Sequence, residues 1–501
     1  MIDVVIVGAY LGVMLLVGWR TRLQSAESYW VAERRYTTGP IAASLVATIF
    51  GASSTLGIIG LGYSRGLTGA WWSIIGAIAL VPFGLLLAGR VRALGVYTLP
   101  DILRNDYGHK VSIPAAAMIA TAWCGIVAAQ IVAGARLLSG IFPLEFSFAV
   151  VFVAVVFILY TYWGGQLSVI RTDIWQIALF LGGLVVCLVV LVGVPGRATT
   201  FWADAPEAYW SFPVSPSFGW YDLLVFYPLI VGLPYLVGPD IYSRVLCAKD
   251  GHVARRSVLS AAAVVVPVSF LLALVGLAIR AEFPALAPGA ALPHAVNELI
   301  PVGLKGLVVA GFVAAIMSSA DTTLISAATI LSLNVVTPAF ARARFRFGPS
   351  SHKASAELSR PSHLTQEQEL RVTRVALVVV GVAAAWVAMY EQGIISSLVL
   401  GYTVFVGGVV VPTLASFYKE RLKVTAAGAM WAVIAGGALA IFGAIGSGRY
   451  FKAVLTPGGD AYLARLLGPQ YAAILPVLVS LVVLIGVSRM TRPESVLESE
   501  N

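Results

Sequence analysis

At 501 residues the chain is long enough for about three soluble domains, yet 59% hydrophobic and 11% charged residues, with a mean hydropathy of +0.89, leave too little polar surface to cover them. The composition excludes a soluble enzyme and a nucleic-acid binder. It predicts an integral protein of the lipid bilayer whose net charge of +9 sits on loop arginines facing a cytoplasm.

Apolar windows of about 20 residues, the length that crosses a ~30 Å hydrocarbon core, recur along the whole chain. They fall near 2–19, 40–64, 70–89, 113–138, 146–163, 172–194, 221–243, 257–279, 300–335, 373–390, 394–417, 424–446 and 470–488, which predicts an all-α polytopic membrane protein of about 13 transmembrane helices. The first window has no basic stretch before it and Arg20 and Arg22 after it, so it reads as a retained helix with its amino end outside. On that topology 25 of the 33 lysines and arginines face the cytoplasm. Such a bias expects a multi-pass protein of the cell (inner) membrane, amino end outside and carboxyl end cytoplasmic. The inside stretch near 337–372 is basic, Ser/Pro-rich and aperiodic, a flexible connector, and the segment after Arg492 reads as a short solvated tail. Cys124, Cys187 and Cys247 lie in or beside apolar runs without metal-like spacing, which expects core packing rather than disulfides or zinc.

Two windows carry helix-weakening residues at mid-membrane depth, five spans apart. The second holds Gly51, Ser53, Ser54, Thr55 and Gly57; the seventh holds Gly232, Pro234, Tyr235, Gly238, Pro239 and Asp240. Proline removes an amide donor and clashes one turn back, so freed carbonyls there must face a cavity, an ion or another helix. Matched interruptions in two halves point to a midplane ion and solute site in an inverted repeat, with simple kinks as the alternative. In the ninth window Ala315, Ser318, Ser319 and Thr322 share one helical face. Neutral hydroxyls and carbonyls suit a hard cation such as sodium, which takes about five oxygens, whereas the plainer reading is small-residue packing with hydroxyls bonded to their own helix. Three acids stand at membrane depth or edge: Asp173 reads as an ion-path group or a helix-start cap, Asp240 as an ion-pair partner of Arg244, and Asp321 as an ion-path group. Trp71, Trp72 and Trp123 are cavity-lining or interface-anchoring candidates.

Four stretches carry a family resemblance. They are Ser44-Leu45-Val46-Ala47-Thr48-Ile49-Phe50-Gly51 with Gly62-Tyr63-Ser64; Tyr160-Thr161-Tyr162-Trp163-Gly164-Gly165-Gln166-Leu167-Ser168 running into Thr172-Asp173-Ile174-Trp175-Gln176; Arg244-Val245-Leu246-Cys247-Ala248-Lys249; and Ala314-Ala315-Ile316-Met317-Ser318-Ser319 with Ser326-Ala327-Ala328-Thr329. In order and spacing, from about residue 30 to about residue 420, the chain resembles the sodium/solute symporter family, the sodium-coupled sugar, proline and choline transporters of leucine-transporter (LeuT-like) architecture. The resemblance implies a LeuT-like 5+5 inverted repeat, with 40–194 and 221–417 as the two halves, 1–39 as an extra first helix and loop, and 418–501 as two accessory helices and a tail. It implies a co-transported sodium ion on the backbone carbonyls of Ala47, Phe50 and Ala315 and the hydroxyls of Ser318 and Ser319, with Asp173 along the ion path. Solute contacts then fall on Ile49, Ser53, Ser54, Ser73, Trp123, Tyr235 and Gly238. The solute itself does not carry over, because Ser54 and Ser73 stand where the sugar branch has glutamine and glutamate, and Ile49 and Gly238 where the choline branch has tryptophans.

The expectation is therefore a monomeric sodium-coupled symporter of a small organic solute, not an enzyme. Half-helix ends and the hydroxyls of Ser53, Ser54 and Ser73 favour a neutral or zwitterionic solute, or a carboxylate, over a strong cation. A proton-coupled transporter of the same architecture and a transporter-like membrane sensor are the alternatives.

Overall fold

A computed structural model of the chain describes residues 2–22, 25–193, 207–340, 364–446 and 474–492. Its apolar helices, in chain order, are α1 (Ile2–Arg20), α2 (Thr38–Ile49), α3 (Ser53–Ala93), α4 (His109–Ile141), α5 (Phe146–Val192), α6 (Asp222–Leu246), α7 (Gly251–Glu282), α8 (Leu304–Phe340), α9 (Gln366–Tyr390), α10 (Ile394–Ser416), α11 (Ala426–Gly443) and α12 (Ile474–Met490). Among the described residues ten of these are long and apolar enough to cross a membrane, α2 and α12 being shorter. Among the described residues the extended pairings are two isolated bridges, Tyr36 with Ala248 and Ser215 with Phe218. An all-α fold is what lipid demands, since a helix satisfies its own backbone polar groups.

Two helices outrun a single crossing. The 47 residues of α5 would measure about 70 Å at 1.5 Å each, against a core of ~30 Å. The chain turns at Gly165, where φ is +59° and ψ −176°, a conformation open to glycine. Similarly, the 41 residues of α3 are interrupted at Gly66, with φ +69° and the Tyr209 backbone pressed against it. Both turns fall where the sequence separates adjacent spans, near 163–172 and 64–70.

At the centre lies α8, whose most apolar window is wholly buried and which packs on α5, α4 and α1. Small residues also bring α7 and α3 together: a Cβ on Gly276 of α7 would stand 2.6 Å from the amide of Tyr63 in α3. At the periphery α11 and α12 pack on each other and on α10. The connector expected near 337–372 is shorter than the composition suggests. Helix α8 continues to Phe340, and α9 begins at Gln366 behind a Thr365/Gln368 capping box. Residues 341–363 and the tail beyond Arg492 lie outside the described residues. Cys124, Cys187 and Cys247 are unpaired thiols.

Candidate functional site

The two interrupted helices come first, because they create the site. Helix α2 stops at Ile49, Phe50 leaves helical geometry at φ −81° and ψ 54°, and α3 begins at Ser53 with a wide turn. The last carbonyls of α2 thereby lose the amides that a continuous helix would supply. Side chains take over: the Ser319 hydroxyl donates to the Thr48 carbonyl at 2.6 Å, and the Ala52 amide donates to Gln130 Oε1 at 2.8 Å. Gly51 fits this crossing because a Cβ would stand 2.6 Å from Ser319 Cβ and 2.8 Å from Gln130 Nε2. In α6 the helix stops at Val237, Gly238 is extended at φ −63° and ψ 131°, and Pro239 opens the next segment. The interruption expected across 232–239 thus narrows to Gly238–Pro239, Gly232 and Pro234 staying helical.

A buried polar network lies beside the first break. Ser318 donates to Asp173 Oδ1 at 2.5 Å, and Ser44 donates to Asp173 Oδ2. Arg244 Nη2 stands 3.4 Å from that same Oδ2, both side chains being fully buried. The guanidinium also donates to Gln166 Oε1 and Thr322 Oγ1, and through Nε to Thr48 Oγ1 at 3.3 Å. A charge pair removed from water persists only when the remaining donors and acceptors are met, as they are here.

Two expectations change on this geometry. Asp173 lies eight residues past the Gly165 turn, inside the helix, so it is not a helix-start cap. Arg244 is turned to Asp173, which leaves Asp240 without an ion-pair partner among the described residues. On α8 the Thr322 and Thr323 hydroxyls bond back to the Ser318 and Ser319 carbonyls, each at 2.9 Å, and Thr322 also accepts from Arg244. Ser318 and Ser319 instead donate across to α5 and α2. Asp321 accepts from Thr161 at 2.8 Å through Oδ1, while its buried Oδ2 meets no donor. Ala47, Phe50 and Ala315 are buried, on the two elements that Ser319 joins.

Between the breaks is a narrow cavity with about 20 Å³ of water-sized space. Of the expected solute contacts it collects Ile49, Ser53, Ser54 and Tyr235, and adds Gln130, Asp240, Ser319 and Tyr402. Ser73, Trp123 and Gly238 are not in its lining. Trp123 packs edge-on against Phe405 at 4.8 Å, Ser73 is fully buried, and Gly238 backs onto the Pro234 carbonyl. Trp71 and Trp72 are also elsewhere: the Trp71 indole stacks on Phe212 and donates to the Pro213 carbonyl at 2.8 Å, and Trp72 meets Tyr227 edge-on. Gln130 went unnoticed in the sequence, although a lone amide side chain in the apolar window 113–138 is a signal in itself.

Comparison with known proteins gives this geometry a context. Among curated proteins, the chain is 25% identical to a sodium/glucose cotransporter of Vibrio parahaemolyticus over 375 residues, 67% of this chain and 68% of that one. It is 26% identical to sodium/glucose cotransporter 4 of Mus musculus over 66% of this chain, a match spanning 55% of the mouse protein. A solved structure described as the substrate-bound outward-open state of a Na+-coupled sialic acid symporter superposes with a TM-score of 0.74 at 19% identity, covering 98% of both chains. That likeness establishes a common LeuT-like helical fold. Residues 29–344, well over half of the sequence, match the model of the sodium:solute symporter family. With its interrupted helices, hydroxyl-rich α8 and membrane-spanning fold, the chain belongs to the sodium:solute symporter family.

Proposed function

We propose that this protein couples the entry of sodium to the uptake of a small organic solute by alternating access. The observation that carries the reading is that adjacent serines of α8 donate in different directions, Ser318 to Asp173 and Ser319 to the Thr48 carbonyl at the end of α2. Hydroxyls that only packed would bond back to their own helix, as Thr323 does. Sodium takes the carbonyls of Ala47, Phe50 and Ala315 and the oxygens of Ser318 and Ser319, whose hydrogens turn away from the ion. It thereby joins α2 to α8 in the outward-facing state. Its loss to a low-sodium cytoplasm, along a path past Asp173 and Asp321, frees the two elements to part and release the solute. Ile49, Ser53, Ser54 and Tyr235 contact the solute, with Ser73, Trp123 and Gly238 behind them.

The same reading takes thirteen crossings, with residues 40–194 and 221–417 as inverted halves and 1–39 and 418–501 as accessory segments. The protein is a monomer of the cell (inner) membrane, amino end outside and carboxyl end cytoplasmic. Binding of radiolabelled sodium to the purified protein tests the ion site whichever solute is carried. Replacing both serines, Ser318→Ala and Ser319→Ala, removes two of about five ligands, and each loss of on the order of 1–3 kcal/mol weakens sodium roughly 5- to 150-fold. Wild-type sodium affinity in a folded double variant would overturn the assignment. Proton coupling is the second reading, favoured by the buried, unpartnered Oδ2 of Asp321. It expects uptake driven by a pH gradient without sodium.

A further inference from the structure

Asp240 is the acid in the cavity lining, which contains no basic side chain. It is partly buried and sits at the second position of the segment that Pro239 restarts. The cation one turn away, Arg244, is committed to Asp173, Gln166, Thr322 and Thr48. The Asp240 carboxylate accepts from backbone amides at the start of that segment, Ile241 among them, and with the nearest guanidinium committed elsewhere it still gains from a cation brought into contact with it. Tyr235 and Tyr402 line the same cavity, and phenol faces beside a carboxylate suit a positively charged nitrogen. The same lining includes Ser53 and Ser54, in the first turn of α3, Ser54 in hydrogen-bond contact with Tyr235, and the Gln130 amide. A helix start and hydroxyl donors suit an anionic or polar group.

We propose that the cavity selects a small zwitterionic amine, its ammonium held by Asp240 and its anionic end directed to the first turn of α3. The inference rests on the transport reading and narrows it. The sequence favours a zwitterion over a strong cation because its hydroxyls carry no charge; Asp240 supplies the missing charge at one end. Asp240 is thus the residue that separates amines from sugars and simple carboxylates.

The test is thermal unfolding of the purified full-length protein in saturating sodium. The probes are the twenty common L-amino acids, each beside its N-acetyl form, which keeps the carboxylate and loses the cation. At least one amino acid should stabilise the wild type, and its N-acetyl form should bind more than about tenfold more weakly. Asp240→Asn should weaken that amino acid by about 10- to 100-fold, and Asp240→Glu should retain part of the binding. Stabilisation by sodium alone reports a folded ion site in every variant. Wild type that answers to sodium but to no amino acid up to about 10 mM overturns the amine assignment alone, as does equal binding of the N-acetyl form or unchanged affinity in Asp240→Asn. Loss of the sodium response in wild type would instead sink the transport reading itself.

Discussion

Neutralising Arg244 is the perturbation that most directly tests the buried network. In Arg244→Gln the carboxylate of Asp173, with no exposed surface, loses its cation and keeps only the hydroxyls of Ser44 and Ser318. Breaking a buried pair from one side costs about 3–5 kcal/mol, and two remaining donors place this case near the lower end. Asp173→Asn strands Arg244 in the opposite sense. Gln166, Thr322 and Thr48 still accept from the guanidinium, but no counter-charge remains, and the cost is again about 3 kcal/mol. The double variant removes both charges and leaves amides of similar size, so it should return to within about 1 kcal/mol of wild type. The coupling energy from a double-mutant cycle is therefore several kcal/mol and opposite in sign to the sum of the single losses. Equilibrium denaturation of the purified protein in micelles reads all four corners. A single Arg244→Gln that shifts stability by less than about 1 kcal/mol, or losses that simply add, would refute the pairing.

Three further expectations follow from close approaches and from Gln130. Gly51→Ala puts a Cβ 2.6 Å from Ser319 Cβ, so it should destabilise by about 1–3 kcal/mol and weaken sodium binding as Ser319→Ala does, read by labelled-sodium binding. Gly276→Val meets backbone, the Tyr63 amide at 2.6 Å, which cannot swing aside; it should cost about 3 kcal/mol and reduce recovery of folded protein, read by size-exclusion profile and unfolding midpoint. Gln130→Leu keeps the volume but leaves the Ala52 amide without its acceptor, costing about 1–3 kcal/mol in a denaturation experiment.

The fold was largely legible because membrane crossing is written in run length and hydropathy. The breaks between the windows 146–163 and 172–194, and between 40–64 and 70–89, divide α5 and α3 into successive crossings, and glycines at positions 165 and 66 supply the turns. The interruption at Gly51 was legible for the same reason: helix-poor letters at mid-membrane depth. Partner choice was not. Arg244 is one helical turn from Asp240, and helical spacing alone favours that pair. Asp173 is 71 positions away in sequence and meets the guanidinium only because α5 and α6 are brought together by packing on α8. Trp123 stands outside the cavity lining for a related reason. Its position gives depth in the membrane but not direction, and the indole turns to Phe405 of α10.

The cavity and the proposed ion ligands are not two sites joined by a path; they share atoms. Ser319 lines the cavity and donates to the Thr48 carbonyl, and Gln130 lines it while accepting from the Ala52 amide inside the break of the first interrupted span. An ion that draws on a lone pair of the Ser319 oxygen leaves the hydroxyl hydrogen on the Thr48 carbonyl and competes instead with the Gln130 amide, which donates to that same oxygen at 3.5 Å. Any solute that contacts Gln130 or Ser319 then experiences a cavity whose hydrogen-bonding pattern depends on sodium. Linkage makes the dependence mutual: the factor by which sodium raises solute affinity is the factor by which the solute raises sodium affinity. The coupling requires no displaced domain to begin, only a change of partner at one hydroxyl. A solute analogue too short to reach Ser319 and Gln130 should consequently bind with an affinity independent of sodium, even where it keeps its contact with Asp240.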